Sequence, residues 1–152
     1  MFEAVRDRLA DVTALAGRIE PAARLSDMMA RNQLPQVTPA AFVLPLGLRG
    51  GRADAAAGLF RQALTETLGV VLFVRSAGDA TGARATEQLV PLRNAVIRRI
   101  VGWAPPSDWL ANEQGGGETV GVFALSRGEL LSMQAGMLTY QLDFALDDQL
   151  RI

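Results

Sequence analysis

The chain of 152 residues contains no cysteine, no histidine and no lysine, and all 15 of its basic residues are arginines. Without cysteine or histidine it can form no disulfide, no Cys/His zinc site, no cysteine nucleophile and no Ser–His pair. Without lysine it can form neither a Schiff base nor the lysine contact of a Walker-type phosphate loop. Carboxylate chemistry is what remains for catalysis. GC-rich coding, which also fits the abundant alanine, glycine and arginine, is the simplest cause of the missing lysine.

Charge and hydrophobicity exclude two further classes of protein. The net charge of −1 argues against a dedicated nucleic-acid binder, and the arginines are spread along the chain with one adjacent pair, Arg98-Arg99. No apolar run approaches the roughly 18–20 residues that a membrane span needs. Residues 1–7 have mixed charge and lack the apolar core of a signal peptide. We therefore expect a cytoplasmic protein that binds neither membranes nor specific nucleic-acid sequences.

The length fits one domain, residues 1–152, with a sizeable core. Apolar residues at helical spacing predict a first helix over 2–14, closed by Gly17. Residues 18–21 are expected to be extended. A second helix is predicted over 22–32, with Leu25, Met28 and Met29 directed inward.

Three prolines frame the next segment. Pro35 and Pro39 favour an extended entry into a strand over 40–48, and Pro45 fits that strand only at an unpaired edge or a bulge. The glycine- and alanine-rich stretch 49–58 is typical of a flexible loop. A second strand is predicted over 59–75, so that the two strands form a long antiparallel hairpin.

The main helix is predicted over 80–101, with N-cap chemistry in residues 76–81 and closure at Gly102. Its apolar stripe consists of Ala85, Leu89, Leu92, Val96 and Ile100. Pro91 should kink the helix or mark a boundary. Three strands are predicted to follow, over 119–125, 129–133 and 138–146, with turns at 127–128 and 134–136. The fold class is therefore α+β: a mostly antiparallel sheet flanked by an N-terminal helix and one long central helix.

The order of these elements resembles the tail terminator proteins of long-tailed bacteriophages. The local matches extend from Leu34-Pro35 through Val43-Leu44-Pro45-Leu46-Gly47, and continue with Gly69-Val70-Val71-Leu72, Asp79-Ala80, Gly102-Trp103-Ala104-Pro105 and Tyr140-Gln141-Leu142-Asp143-Phe144. The resemblance covers almost the whole chain and depends on the order of the motifs. The segment 109–117 departs from it by being slightly longer.

The resemblance implies a structural virion protein that forms a homohexameric ring on the head-proximal end of the tail tube. Such a ring stops tube polymerisation and offers a surface for head–tail joining. The implied partners are further copies of the chain, the tail tube protein and a head-completion or neck protein. No catalytic, cofactor or metal residues are implied. The implied location is the host cytoplasm during assembly and afterwards the head-proximal end of the virion tail.

A ring requires a heterologous interface, and the residues left polar, flexible or aromatic by the core pattern are the candidates for it. These are Arg49, Gly50, Gly51, Arg52, Asp54, Arg98, Arg99, Trp103 and Trp109. Each has an alternative interpretation. The 49–58 segment is then a disordered hairpin tip, and the two tryptophans cover the helix end against the core. The acidic row Glu3, Asp7 and Asp11 meets arginines of a neighbour or is simply solvated.

Two other functions compete with a ring. An enzyme would have to use carboxylates, and Asp143, Asp147 and Asp148 are the candidates for binding a hard cation such as Mg²⁺. A neck or head–tail connector protein, or a tail-completion adaptor, shares the size and the lack of catalytic groups. The long hairpin and the C-terminal strands favour the terminator, because connectors often rely on helices.

Overall fold

A five-stranded sheet organises the chain in the computed structural model, which describes residues 1–55, 60–79, 81–105 and 121–151. Helix α1 (Phe2–Leu9) and a 3-10 turn (Thr13–Leu15) lead to strand β1 (Ile19–Pro21) and helix α2 (Ala22–Ala30). Strands β2 (Ala40–Asp54) and β3 (Arg61–Arg75) precede helix α3 (Ala83–Ile100), and strands β4 (Ala124–Gln134) and β5 (Met137–Arg151) end the described chain. The predicted α+β class is confirmed.

The strand order is β1-β2-β3-β5-β4. Strand β1 runs parallel to β2 and pairs with Ala41–Val43, whereas the pairs β2–β3, β3–β5 and β5–β4 are antiparallel. The predicted long hairpin is confirmed as β2–β3. Pro45 lies at a register shift and beyond the part of β2 that β1 covers, so its missing N–H removes no ladder bond.

Both faces of the central strand β3 are covered, which explains its continuous apolar run. Leu68, Val70, Leu72 and Val74 pack with the buried side chains of β5 and with α1 and α3, while Val71 and Phe73 pack with α2. Within the core the predicted stripe of α3 is buried at all five positions, Ala85, Leu89, Leu92, Val96 and Ile100. Helix α3 continues through the exposed Pro91, so a boundary at this residue is wrong.

Three further sequence predictions, for the first two helices and the C-terminal strands, are wrong. The first helix ends at Leu9, because Val12 is extended (φ −77°, ψ 98°) and the chain turns there to bury Val12 and Leu15. Met29 is 70% exposed, and only Leu25 and Met28 of the three inward candidates pack on the sheet. The C-terminal region forms two strands within the described residues, with the predicted turn at 134–136 between them.

Asp79 supplies the N-terminal cap that the sequence predicts for α3. One carboxylate oxygen accepts a hydrogen bond from the backbone N–H of Ala85 at 3.1 Å, and the other accepts one from the hydroxyl of Thr81 at 3.3 Å. The N–H of Ala85 is the main reason that the pKa of Asp79 lies below its usual range, in spite of the opposing effect of burial. The ionised carboxylate also suits the positive end of the helix dipole.

We expect Asp79→Ala to lower the melting temperature at pH 7, with a smaller loss for Asp79→Asn, which keeps an acceptor oxygen. The folded-state pKa is depressed, so this stabilisation is complete above the unfolded-state value of about 3.9 and is lost as the pH falls through the folded-state value. The gap between wild type and Asp79→Ala should therefore narrow below about pH 4 in calorimetric scans. A gap that does not change between pH 7 and pH 3 would contradict the role of the charge.

Candidate functional site

The first group of candidate interface residues lies on the distal half of strand β2, where Arg49, Gly50, Gly51, Arg52 and Asp54 are all exposed. The prediction of a flexible loop from residue 49 is wrong, because β2 extends to Asp54 and pairs there with β3. A register shift between Gly50 and Ala53 accommodates the two glycines. The side-chain amide of Gln62 donates to the carbonyl oxygen of Gly51 at 3.1 Å and supports this bulge. Tertiary pairing thus overrides the low strand propensity of glycine.

The glycines permit close contact between the two strands of this hairpin. A side chain at position 51 would place its Cβ 3.2 Å from the Cβ of Ala63 and 3.3 Å from its carbonyl oxygen. The hairpin therefore presents an ordered strand edge, on which the guanidinium groups of Arg49 and Arg52 make no hydrogen bond or ion pair with the described residues.

The second group of candidates surrounds the C-terminal end of α3. Arg98 is exposed, whereas Arg99 forms an ion pair with Asp11 at 3.4 Å. The carbonyl oxygen of Arg99 accepts a hydrogen bond from Nε of Arg8 at 2.6 Å. Asp11 is thus the one member of the predicted acidic row that has an ion-pair partner in the described part of the chain.

Trp103 belongs to the same cluster. Its ring stacks on that of Phe123, with centroids 5.9 Å apart and an interplanar angle of 27°, and Cζ of Arg8 lies 4.7 Å from its centroid. These contacts favour the interpretation of Trp103 as a cover for the helix end against the core. Trp109, the other predicted aromatic anchor, lies outside the described residues.

Sequence reasoning missed a third surface, the edge strand β4. This strand pairs with β5 on one side and has no strand partner on the other within the described residues. Four of its large apolar side chains, at positions 125, 130, 131 and 133, are 42–50% exposed. A long apolar edge strand is a template for pairing with another chain, which natural monomers usually block.

The reason for the miss is Gly128. Together with Arg127 it was predicted to form a turn, but both residues lie within β4. A Cβ at position 128 would lie 2.9 Å from the hydroxyl oxygen of Tyr140 on β5. Glycine therefore allows the aromatic ring to lie across the neighbouring strand, and an isolated glycine in an apolar alternating stretch was the available signal.

Charges are concentrated on one face of β4 and β5. The guanidinium of Arg127 pairs with Glu129 at 2.7 Å and with Asp143 at 3.5 Å. One guanidinium is therefore shared by two carboxylates, and the cluster of Arg127, Glu129 and Asp143 carries a net charge of −1.

The carboxylates considered for a metal site have separate partners. Asp143 accepts a hydrogen bond from the amide of Gln141 at 2.7 Å, and Asp147 accepts one from the hydroxyl of Thr65 at 2.6 Å. Asp148 accepts one from the backbone N–H of Gln149 at 2.6 Å. No group of three or more potential metal-ligating side chains converges within the described part of the chain. The same part contains no helix that is long and apolar enough to cross a membrane.

Glu66 has an unusual environment on β3, opposite Leu48 of β2 and Leu146 of β5. Its Oε2 is buried and has no hydrogen-bond partner among the described residues. Burial raises the pKa of Glu66, and the charge of the N-terminal amino group offsets this effect in part.

We expect Glu66→Gln to raise the melting temperature at pH 7, because it removes the cost of an ionised, poorly solvated carboxylate. A raised folded-state pKa means that this cost is present above that pKa and disappears as the pH falls through it. The gain in melting temperature should therefore shrink towards pH 4. Glu87→Gln on the exposed surface of α3 is the matched control, and an equal gain from it would contradict the assignment to burial.

Comparison with known proteins adds one finding to this geometry. A family model described as phage tail terminator protein matches the chain over residues 1–152. No curated protein matches the chain.

Proposed function

The chain belongs to the phage tail terminator family, and we propose that it forms a homohexameric ring that caps the head-proximal end of the tail tube. In this proposal the ring stops tube polymerisation and presents the surface to which a head-completion or neck protein binds. The match over residues 1–152 is the observation that carries the proposal, because it identifies a structural tail component. The proposed location is the host cytoplasm during assembly and the virion tail thereafter.

The exposed surfaces support a ring in particular. A closed ring is built from a heterologous contact, in which one surface of a protomer meets a different surface of the next. The sheet offers two such surfaces at its opposite edges, β4 and the distal half of β2. A protomer with two different open edges suits a cyclic assembly better than an isologous dimer.

The charge of the chain is compatible with a ring whose channel lets DNA pass without binding it tightly. Tight, sequence-independent DNA binding depends on many phosphate contacts made by basic side chains. The chain has a net charge of −1, and Arg127 and Arg99 are each engaged by carboxylates of the same chain. We therefore propose the tube protein, the neck protein and further copies of the chain as partners, with neither catalysis nor specific nucleic-acid binding.

The location of the protein on preformed tubes tests this proposal. Because the chain lacks cysteine, Glu87→Cys on the exposed surface of α3 provides a single site for a gold label. We expect the label at one end of each purified tail tube and not along its length. A connector or neck protein would leave bare tubes unlabelled and mark head vertices instead, and that pattern would refute the terminator role.

A further inference from the structure

We infer that neighbouring copies in the ring join their sheets edge to edge, with β4 of one copy antiparallel to the distal half of β2 of the next. The inference rests on the proposed ring and specifies the contact that closes it. In the register that we propose, Glu129 lies opposite Arg49 and Leu130 lies opposite Leu48.

The two edges are open and of matching length. Strand β1 covers the outer edge of β2 only at Ala41–Val43, so that over Leu44–Ala53 this edge, on the side away from β3, has no strand partner among the described residues. Strand β4 spans 11 residues, Ala124–Gln134, and its outer edge is equally open. Such edges expose unpaired N–H and C=O groups, which an added strand satisfies.

The direction of pairing follows from the topology. Strands β2, β3, β5 and β4 alternate in direction, so β4 runs opposite to β2. A rotation about the ring axis preserves these directions in every copy, because the strands are inclined to this axis and do not lie perpendicular to it. The junction between β4 and the next β2 is therefore antiparallel, like the other three pairings of these four strands.

The faces of the sheet restrict the register. Arg49 is opposite Thr65 on β3. Glu129 is opposite Gln141 on β5, which in turn is opposite Val71 on β3. Residues 65 and 71 of β3 share a face, so Arg49 and Glu129 lie on the face that α2 partly covers. Leu48 is opposite Glu66, and Leu130 is opposite Tyr140, which packs with the main core, so both lie on the other face. Directly opposed residues of a β-pair share a face, so these pairs are compatible with one register.

Chemistry selects this register among those that the faces allow. Arg49 makes no ion pair with the described residues, and it would meet the cluster of Arg127, Glu129 and Asp143, whose net charge is −1. Leu48 and Leu130, which are 57% and 50% exposed, would bury one another. In this register the regular stretches between the register shifts, 47–50 of β2 and 127–130 of β4, overlap at three opposed pairs: 48 with 130, 49 with 129, and 50 with 128.

In this register neighbouring copies are displaced relative to one another along the strands, and the size of this displacement agrees with a closed barrel. Leu130 is level with Leu72 of β3 through Tyr140, whereas Leu48 is level with Glu66, six residues away along the same strand. Six residues correspond to about 20 Å along the strands, and four strand spacings to about 19 Å across them. The strands would thus tilt by about 45°, which is within the range of closed barrels.

Cysteine cross-linking tests the register directly, since the natural chain has no cysteine. Under mild oxidation the double variant Leu48→Cys/Leu130→Cys should form disulfides between copies. Non-reducing gel electrophoresis should then show covalent multimers, the largest of which contains all the copies of one ring. Within one chain two strands lie between these positions, which places them at least about 14 Å apart, whereas a disulfide needs Cα atoms within about 7 Å. Leu46→Cys/Leu130→Cys is the matched control. Leu46 is exposed on the other face, over Gly69, and should not cross-link to position 130.

A charge exchange provides a second test that does not depend on oxidation. We expect Arg49→Glu and Glu129→Arg each to weaken ring formation by about tenfold or more. Analytical ultracentrifugation measures this for rings in solution, and binding to the ends of preformed tubes measures it for rings that assemble there. The double variant should recover most of the loss. If rings form and tubes are capped, but positions 48 and 130 do not cross-link and the charge changes have no effect, the proposed contact is overturned and the terminator function is not. Absence of wild-type rings both in solution and on tubes would refute the function itself.

Discussion

Replacement of Phe144 by alanine is expected to lower the free energy of unfolding by about 3–5 kcal/mol. The side chain is fully buried on β5, between Leu68 of β3 and Leu125 of β4, and it belongs to the main core with Phe123. A domain of this size is stable by roughly 5–15 kcal/mol, so the variant would lose a large part of its stability. Urea unfolding followed by tryptophan fluorescence measures the change.

Leu131→Ala is the matched control for this prediction. Leu131 lies on the exposed edge strand β4 and is 48% exposed, so its truncation should change the free energy of unfolding by no more than about 0.5 kcal/mol. Similar losses for the two variants would show that the described core is wrong.

Leu130→Lys should weaken tube capping at least a hundredfold while leaving the fold intact. In the free protomer the side chain is half exposed, so a lysine there remains hydrated. In the proposed junction it would face Leu48 of the neighbour and bring an unpaired charge into an apolar contact. Such a charge costs about 3–5 kcal/mol, which corresponds to at least a hundredfold loss of association. The concentration of protein that arrests tube growth measures the effect.

Val90→Lys provides the same type of substitution away from both sheet edges. Val90 lies on α3 and is 41% exposed, so the variant should cap tubes as the wild type does. Equal loss of capping in both variants would indicate a general effect of added charge. Full activity of Leu130→Lys would remove β4 from the ring contact.

The sequence predicted best the elements whose pattern is long and locally consistent. The stripe of α3 and the apolar run of β3 repeat over many residues, and both agree with the structure. The errors occurred where tertiary contacts override local preference. Glycines at 50, 51 and 128 suggested loops, whereas close cross-strand neighbours such as Ala63 and Tyr140 explain them within strands.

The candidate surfaces were predictable only in part. The residues of distal β2 were identified because the core pattern left them polar or flexible, although their strand conformation was not predicted. Arg99 and Trp103 were identified as candidates from their residue types, but their partners Asp11, Arg8 and Phe123 are distant in sequence. The edge position of β4 depends on the strand order β1-β2-β3-β5-β4, and no single segment of sequence encodes this order.

The growth of tail tubes in the presence of the protein tests the terminator function most directly. Purified tube protein is polymerised, the chain is added at a chosen time, and tube lengths are scored by negative-stain microscopy before and after a second addition of tube protein. The proposed function predicts that tube ends are capped and that tubes keep the length that they had reached when the chain was added. Tubes that continue to elongate with bare ends would contradict it.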